Sequence, residues 1–207
     1  MHIIIAGIDT EVGKTFVSAI LTILFQAEYW KPIQSGSLNH SDSAIVHELS
    51  GARCHPESYR LSHSLAAHQA AQIDNITINQ ETITLPKTDS SLIIETSGGF
   101  LSPCTYNSLQ GDVFAKWPCH WVLVSKAYLG SINHTCLTIE AMQARNLSIL
   151  GIILNQYSKE EEDWLLNMTG LPFLGRLNYE KMISKAIVQN YANLWKETWK
   201  YREIQLC

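Results

Sequence analysis

Gly7-Ile8-Asp9-Thr10-Glu11-Val12-Gly13-Lys14-Thr15 is the stretch that decides how this chain folds. The apolar run Ile3-Ile4-Ile5-Ala6 precedes it, and an amphipathic stretch at 16–25 follows it. The order is strand, glycine-containing loop, helix, and the loop ends in Gly-Lys-Thr, as a phosphate-binding loop does. Backbone N–H groups at a helix N-terminus, with the helix dipole behind them, make an anion site. A lysine at that position opposes the dipole unless an anion is bound. Lys14 is therefore read as a charge for the β- and γ-phosphates, and the Thr15 hydroxyl as a magnesium ligand. The usual spacing puts four residues between the first glycine and the Gly-Lys pair. Here five residues separate Gly7 from Gly13.

Further apolar runs at 29–30, 91–94, 121–124, 149–154 and 173–175 alternate with helix-like stretches at about 14–26, 41–50, 65–74, 131–145 and 160–168. Continuously apolar runs suit parallel strands buried on both faces. The alternation predicts an α/β fold, a doubly wound, mainly parallel sheet flanked by helices, in a single domain over 1–207. Residues 51–85 carry weak periodicity. The tail from 181 to 207 reads as helix, with Trp195, Trp199 and Tyr201 near helical spacing and expected to pack or form an interface.

Composition narrows the classes of function. The chain has 207 residues, 46% hydrophobic and 16% charged, with a net charge of −4, which suffices for one sizeable core. No basic block supports nucleic-acid binding, and no apolar run reaches the roughly 18 residues of a membrane span. The N-terminal apolar run is too short for a signal peptide. Five cysteines without paired spacing point to free thiols in a reducing compartment, hence a cytoplasmic location.

In a doubly wound sheet ligands bind beyond the carboxyl ends of the strands, and polar, chemically useful residues follow each strand here. Lys31-Pro32-Ile33-Gln34-Ser35-Gly36 follows the second, Glu95-Thr96-Ser97-Gly98-Gly99 the third, Gly130-Ser131-Ile132-Asn133 lies beyond the fourth, and Asn155-Gln156 follows the fifth. Glu95 ends a buried strand, where an unpaired carboxylate is costly. Either a metal or a salt bridge to a lysine resolves that cost. Asp42, after Ser41, reads as a metal ligand or as part of a helix cap. Lys31, beside the phosphate loop, can gather charge on a transferring phosphoryl group.

The ordered set resembles the dethiobiotin synthetase family. The variant loop with its five-residue interval, Lys31-Pro32-Ile33-Gln34-Ser35-Gly36, Ser41-Asp42, Glu95 with Gly98-Gly99, and Leu129-Gly130-Ser131-Ile132-Asn133-His134 all match that family's motifs in order. The resemblance implies a P-loop NTPase-like fold. It also implies an ATP-dependent ring closure in which 7,8-diaminononanoate takes up CO2 (supplied as bicarbonate) and gives dethiobiotin. Carried over, Lys14, Lys31, Thr10 and Glu11 would be catalytic. Glu11, Val12, Gly13, Lys14, Thr15, Phe16, Asn155 and Gln156 would hold the nucleotide. Thr15, Asp42 and Glu95 would hold Mg2+. Ser35 and Thr10 would touch the diamine, while Gly130, Ser131, Ile132 and Asn133 would receive its distant carboxylate at the interface of a homodimer. Two departures stand out. Thr96-Ser97 replaces the family's Gly-Ala, expected to crowd the γ-phosphate or add hydroxyls, and Ile8 replaces a threonine. Other readings are a partition-type ATPase switch, which usually carries an additional lysine early in its loop, and the synthetase half of a cobyrinate amidation enzyme, which needs a glutamine-hydrolysing domain.

Overall fold

Runs that are apolar on both faces become the inner strands of one sheet. In the computed structural model, which describes residues 1–203, Ile3, Ile4 and Ile5 are all fully buried, as only a strand covered on both sides allows. The elements in chain order are β1 (His2–Gly7), α1 (Lys14–Leu24), β2 (Glu28–Trp30), β3 (Ile33–Ser35), α2 (Asp42–Ser50), β4 (Cys54–His55), β5 (Tyr59–Leu61), α3 (Ala67–Ile73), β6 (Leu92–Gly99), β7 (Pro103–Thr105), β8 (Ser108–Leu109), α4 (Gln110–Phe114), β9 (His120–Lys126), α5 (Ser131–Gln143), β10 (Ile149–Asn155), α6 (Lys159–Thr169), β11 (Phe173–Leu177) and α7 (Lys185–Glu203).

Seven strands form one sheet in the order β11-β10-β9-β1-β6-β2-β4, and every pairing in it is parallel. The chain moves one way from β1 to β2 and the other way from β9 to β11. Right-handed crossovers therefore put α1 and α5 on opposite faces. The order reverses around β1 and β6, so the carboxyl ends of β1, β6 and β2 form the crevice where such sheets take ligands.

α1 is buried almost all round, which a helix tolerates only under a second layer. α7 supplies that layer. Phe16 meets Tyr191 edge-on at 5.3 Å, and Phe25 meets Trp199 at 5.2 Å. Trp195 lies against Gly175, where even a Cβ would fall 2.3 Å from its ring. The aromatic tail residues Trp195 and Trp199 thus pack the core; the side chain of Tyr201 lies outside the described residues.

Two stretches differ from expectation. Residues 31–36 contain the short strand β3, and 51–85 contain β4 and β5, while the helix expected at about 65–74 forms as α3. β3 pairs only with β5, in a two-stranded sheet beside the crevice. Three-residue strands are too short to carry a legible period. No helix among the described residues is long and apolar enough to cross a membrane.

Candidate active site

The loop between β1 and α1 folds back on its own lysine. Lys14 Nζ donates to the Asp9 carbonyl at 2.7 Å, five residues back. Gly7 is required beneath this contact, since a Cβ there would lie 2.8 Å from the Asp9 carbonyl oxygen and 3.0 Å from Lys14 Nζ. Gly13 caps α1 with φ near +102°, a conformation that L side chains rarely adopt. No side chain caps the helix and no acidic residue sits in its first turn, so its N–H groups stay open to an anion. Lys14 is 7% exposed. Burial, with the charge of Lys31 added, lowers its pKa to about 8 against the opposing pull of Glu95, Asp42 and Asp9.

At the next residue, three oxygens converge. Thr15 Oγ1 lies 2.9 Å from Asp42 Oδ1 and 2.9 Å from Glu95 Oε1. Lys31 Nζ completes the group, 2.6 Å from Asp42 Oδ2 and 3.0 Å from Glu95 Oε1. Burial alone would lower the Lys31 pKa, but the two carboxylates raise it above the ordinary lysine value. Burial raises that of Asp42, yet the charge and hydrogen bond of Lys31 and the Thr15 bond hold it below the ordinary value. Ser41, whose Oγ accepts from the Ala44 N–H at 3.3 Å, is the cap of α2. That leaves Asp42 free for the cluster, with its own N–H donated to Gln34 Oε1 at 3.2 Å.

These residues fit a magnesium ion. Bonds of 2.0–2.1 Å in an octahedron separate adjacent oxygens by about 2.9 Å, which is the separation of Thr15 Oγ1 from each carboxylate. A threonine hydroxyl has one proton and cannot donate to both at once. The group lines a cleft of about 990 Å³, which also takes in Thr10, Glu11, Gly13, Phe16, Ser35 and Ser97.

Comparison with known proteins gives this geometry a family. A protein-family profile described as an AAA domain matches residues 1–186. The ATP-dependent dethiobiotin synthetase BioD of Chlamydia abortus is 89% identical over 207 residues, covering 100% of both chains. That of Chlamydia felis is 78% identical, again over 100% of both, and that of Rhodopseudomonas palustris is 41% identical over 84% of each. The chain belongs to the dethiobiotin synthetase family. Solved structures share its fold at low identity. A plasmid partition protein from Borrelia burgdorferi, bound to AMPPNP, aligns with a TM-score of 0.59 at 14% identity over 97% of this chain and 98% of that one. The septum site-determining protein MinD from Pyrococcus horikoshii, complexed with Mg-ADP, aligns with a TM-score of 0.53 at 15% identity over 99% and 98%. Partition-type proteins are thus fold relatives only, whereas the dethiobiotin synthetases are relatives in sequence.

The residues expected from the dethiobiotin synthetase resemblance divide into two groups. Thr10, Glu11, Gly13, Lys14, Thr15, Phe16, Lys31, Ser35, Asp42 and Glu95 share the cleft. Ser35 Oγ is buried there without a hydrogen-bond partner among the described residues. Val12 is buried under the loop. Gly130, Ser131, Ile132 and Asn133 do not line the cleft. They begin α5 on the other side of the loop, near Lys126, whose Nζ reaches the Glu11 carbonyl at 3.4 Å. Asn155 and Gln156 also lie off the cleft: Asn155 Nδ2 braces the Val12 carbonyl at 2.9 Å, and Gln156 is exposed with φ near +61°.

Of the two partners the sequence left open for Glu95, the lysine is Lys31, salt-bridged to it at 3.0 Å. The synthetase-family departure at 96–97 adds two hydroxyls, and Ser97 lines the cleft. Thr96 is buried and donates to the Ile5 carbonyl at 3.2 Å, away from the cleft, and the Ser97 hydroxyl donates to the Ile33 carbonyl. Both hydroxyls are spent on tying β6 to its neighbours.

Sequence reading missed Ser18, Tyr29, Gln34 and Gln110. Gln110 exchanges hydrogen bonds with the Ser97 backbone, at 2.9 Å to its N–H and 2.7 Å to its carbonyl. Two of the four left a signal. Ser18 follows Thr15 by one helical turn and so shares its face. A tyrosine in an apolar strand needs a partner for its hydroxyl.

Proposed function

We propose that this chain, as one domain, catalyses the ATP-dependent closure of the ureido ring of dethiobiotin from 7,8-diaminononanoate and CO2. The observation that carries this reading is the convergence of Lys14, Lys31, Thr15, Asp42 and Glu95 in one cleft, in a chain 89% identical to a dethiobiotin synthetase. Phosphoryl transfer asks for positioning and charge stabilisation rather than a protein nucleophile, and this cluster supplies both.

One amine of the substrate adds to CO2 and loses a proton, giving a carbamate. A carbamate oxygen attacks the γ-phosphorus, the bond to the β-phosphate oxygen breaks, and ADP leaves. The second amine then attacks the carbamate carbon, expelling phosphate and closing the ring. Open N–H groups at the start of α1 cradle the phosphates, and Lys14 turns from the Asp9 carbonyl to meet their charge. Lys31, held between two carboxylates, stays protonated and stabilises charge on the transferring phosphoryl group and the carbamate. Ser35, with its free hydroxyl, and Thr10 orient the diamine, and Glu11 sits at the rim where nucleotide and diamine meet. Thr15, Asp42 and Glu95 would hold Mg2+, which when bound neutralises phosphate charge. Asn155 keeps a free side-chain oxygen for the base while bracing the loop, and Gln156 follows it.

Gly130, Ser131, Ile132 and Asn133 receive the distant carboxylate of a diamine in the second copy of a homodimer. What supports this is their place outside the cleft and the fully exposed Leu129 next to them. The enzyme works in the cytoplasm, a reading that draws on the free thiols of Cys54, Cys104, Cys119 and Cys136.

The test is to mix the protein with MgATP, bicarbonate and the diamine. Dethiobiotin and phosphate in equal amounts are expected. ATP hydrolysis indifferent to the diamine would reject this reading in favour of an ATPase switch.

A further inference from the structure

The two oxygens of Glu95 are held in different ways. Oε1 belongs to the cleft, where Thr15 Oγ1 and Lys31 Nζ reach it at 2.9 and 3.0 Å. Oε2 points inward and accepts from Ser18 Oγ at 3.0 Å and from the Tyr29 hydroxyl at 2.9 Å. Ser18 and Tyr29 are both fully buried. Neither hydroxyl is explained by packing. A mid-helix serine or threonine ordinarily bonds a carbonyl of its own preceding turn, as Thr22 does on the same helix at 2.8 Å to the Ala19 carbonyl. Ser18 reaches across to Glu95 instead. A phenylalanine at position 29 would bury the same ring with no hydroxyl to satisfy.

A carboxylate oxygen with two donors on it has its lone pairs engaged. Oε1 also carries two donors, but both have Asp42 as a second partner, Thr15 Oγ1 at 2.9 Å and Lys31 Nζ at 2.6 Å, and so can yield to a metal, whereas the buried Ser18 and Tyr29 hydroxyls on Oε2 cannot; Glu95 therefore offers a metal Oε1 alone. Magnesium accepts single oxygens at the corners of a small octahedron, whereas calcium takes six to eight oxygens at longer distances, often both from one carboxylate. We propose that Ser18 and Tyr29 are positioning residues that keep Glu95 monodentate and so set the preference of this site for Mg2+ over Ca2+. The inference rests on the reading of Thr15, Asp42 and Glu95 as metal ligands.

The experiment is displacement of Mn2+ from the protein with ADP, followed by electron paramagnetic resonance, using Mg2+ and Ca2+ as competitors. The quantity read is the ratio of Ca2+ to Mg2+ concentrations that release half of the Mn2+. Tyr29→Phe and Ser18→Ala should each lower that ratio about tenfold, the scale of one hydrogen bond to a charged group. A ratio equal to that of the unaltered protein in a folded variant overturns the proposal, and Ser18→Ala carries the test if Tyr29→Phe does not fold. Glu95→Gln separates this from the underlying assignment. It should abolish tight Mn2+ binding, and retained binding would overturn the metal reading itself and the inference with it.

Discussion

Lys31 Nζ lies 2.6 Å from Asp42 Oδ2, and both residues sit beside the buried Glu95. One ammonium therefore balances two carboxylates inside the protein. Its removal leaves like charges facing each other with little water to screen them. Lys31→Met should cost about 3 kcal/mol in urea unfolding, the scale for breaking a buried pair from one side. Mg2+ with ADP should restore part of that loss. Turnover should fall about 10²-fold or more, as when one transition-state donor is removed. An unfolding midpoint equal to that of the unaltered chain would show that the carboxylates do not depend on this lysine.

Lys14 gives the stability a recognisable pH dependence. Its pKa in the fold, about 8, lies below the ordinary lysine value of 10.5. Between those values the unfolded chain holds the extra proton, so stability rises with pH. The thiols of Cys54, Cys104 and Cys119 act oppositely, since burial raises each from 9.0 to about 11 and their stabilisation is lost above pH 9. The lysine effect is therefore cleanest between about pH 8 and 9, worth about 1 kcal/mol over that unit. Lys14→Met should lack it in a pH series of urea melts. Phosphates favour the charged lysine, so ADP binding near pH 8 should take up about half a proton. Calorimetry in buffers of different ionisation heat measures that uptake.

Gly13 and Asn155 test the bracing of the loop. A Cβ on Gly13 would meet Asn155 Nδ2 at 2.9 Å, in a backbone conformation near φ +102°. Gly13→Ala should weaken ADP binding about tenfold through strain and clash. Asn155→Ala removes the bond to the Val12 carbonyl and should cost about 1 kcal/mol of stability. Equilibrium ADP titration and thermal melts check the pair.

Thr96 tests whether the unusual residues after Glu95 belong to the chemistry. Its hydroxyl serves the Ile5 carbonyl, so Thr96→Val should cost about 1 kcal/mol and leave KM values unchanged. A shift in the KM for ATP would place the side chain in the cleft after all.

Asn133 and Leu129 test the second copy. Leu129→Asp should shift the protein to monomer in sedimentation and abolish dethiobiotin formation while sparing ADP binding. Asn133→Ala should raise the KM for the diamine alone.

The sheet was legible because its strands are long and apolar on both faces, so Ile3–Ile5 and residues 121–124 could be nothing but buried. The loop was legible because Gly13 and Lys14 have few alternative uses together. β3 and β5 were not, because three residues carry no period and each finds its partner only in the tertiary fold. Residues 130–133 matched a motif, but a motif has no direction, and only the fold places them off the cleft of their own chain. The partners of the Thr96 and Ser97 hydroxyls were not legible for a related reason. Adjacent strand residues point to opposite faces, and sequence alone did not say which carbonyls waited there.

The cluster draws its members from far apart in the chain. Thr15 meets Asp42 across 27 positions, Lys31 meets Glu95 across 64, and Thr15 meets Glu95 across 80. Each of these loops must close before its reward is collected. β6, which carries Glu95, lies between β1 and β2, so the strand that arrives later in the chain must insert between two that came before it. Refolding should accordingly recover metal and nucleotide binding in one late step together with the native sheet. A half-assembled chain would possess helices and a glycine loop, yet none of the affinity.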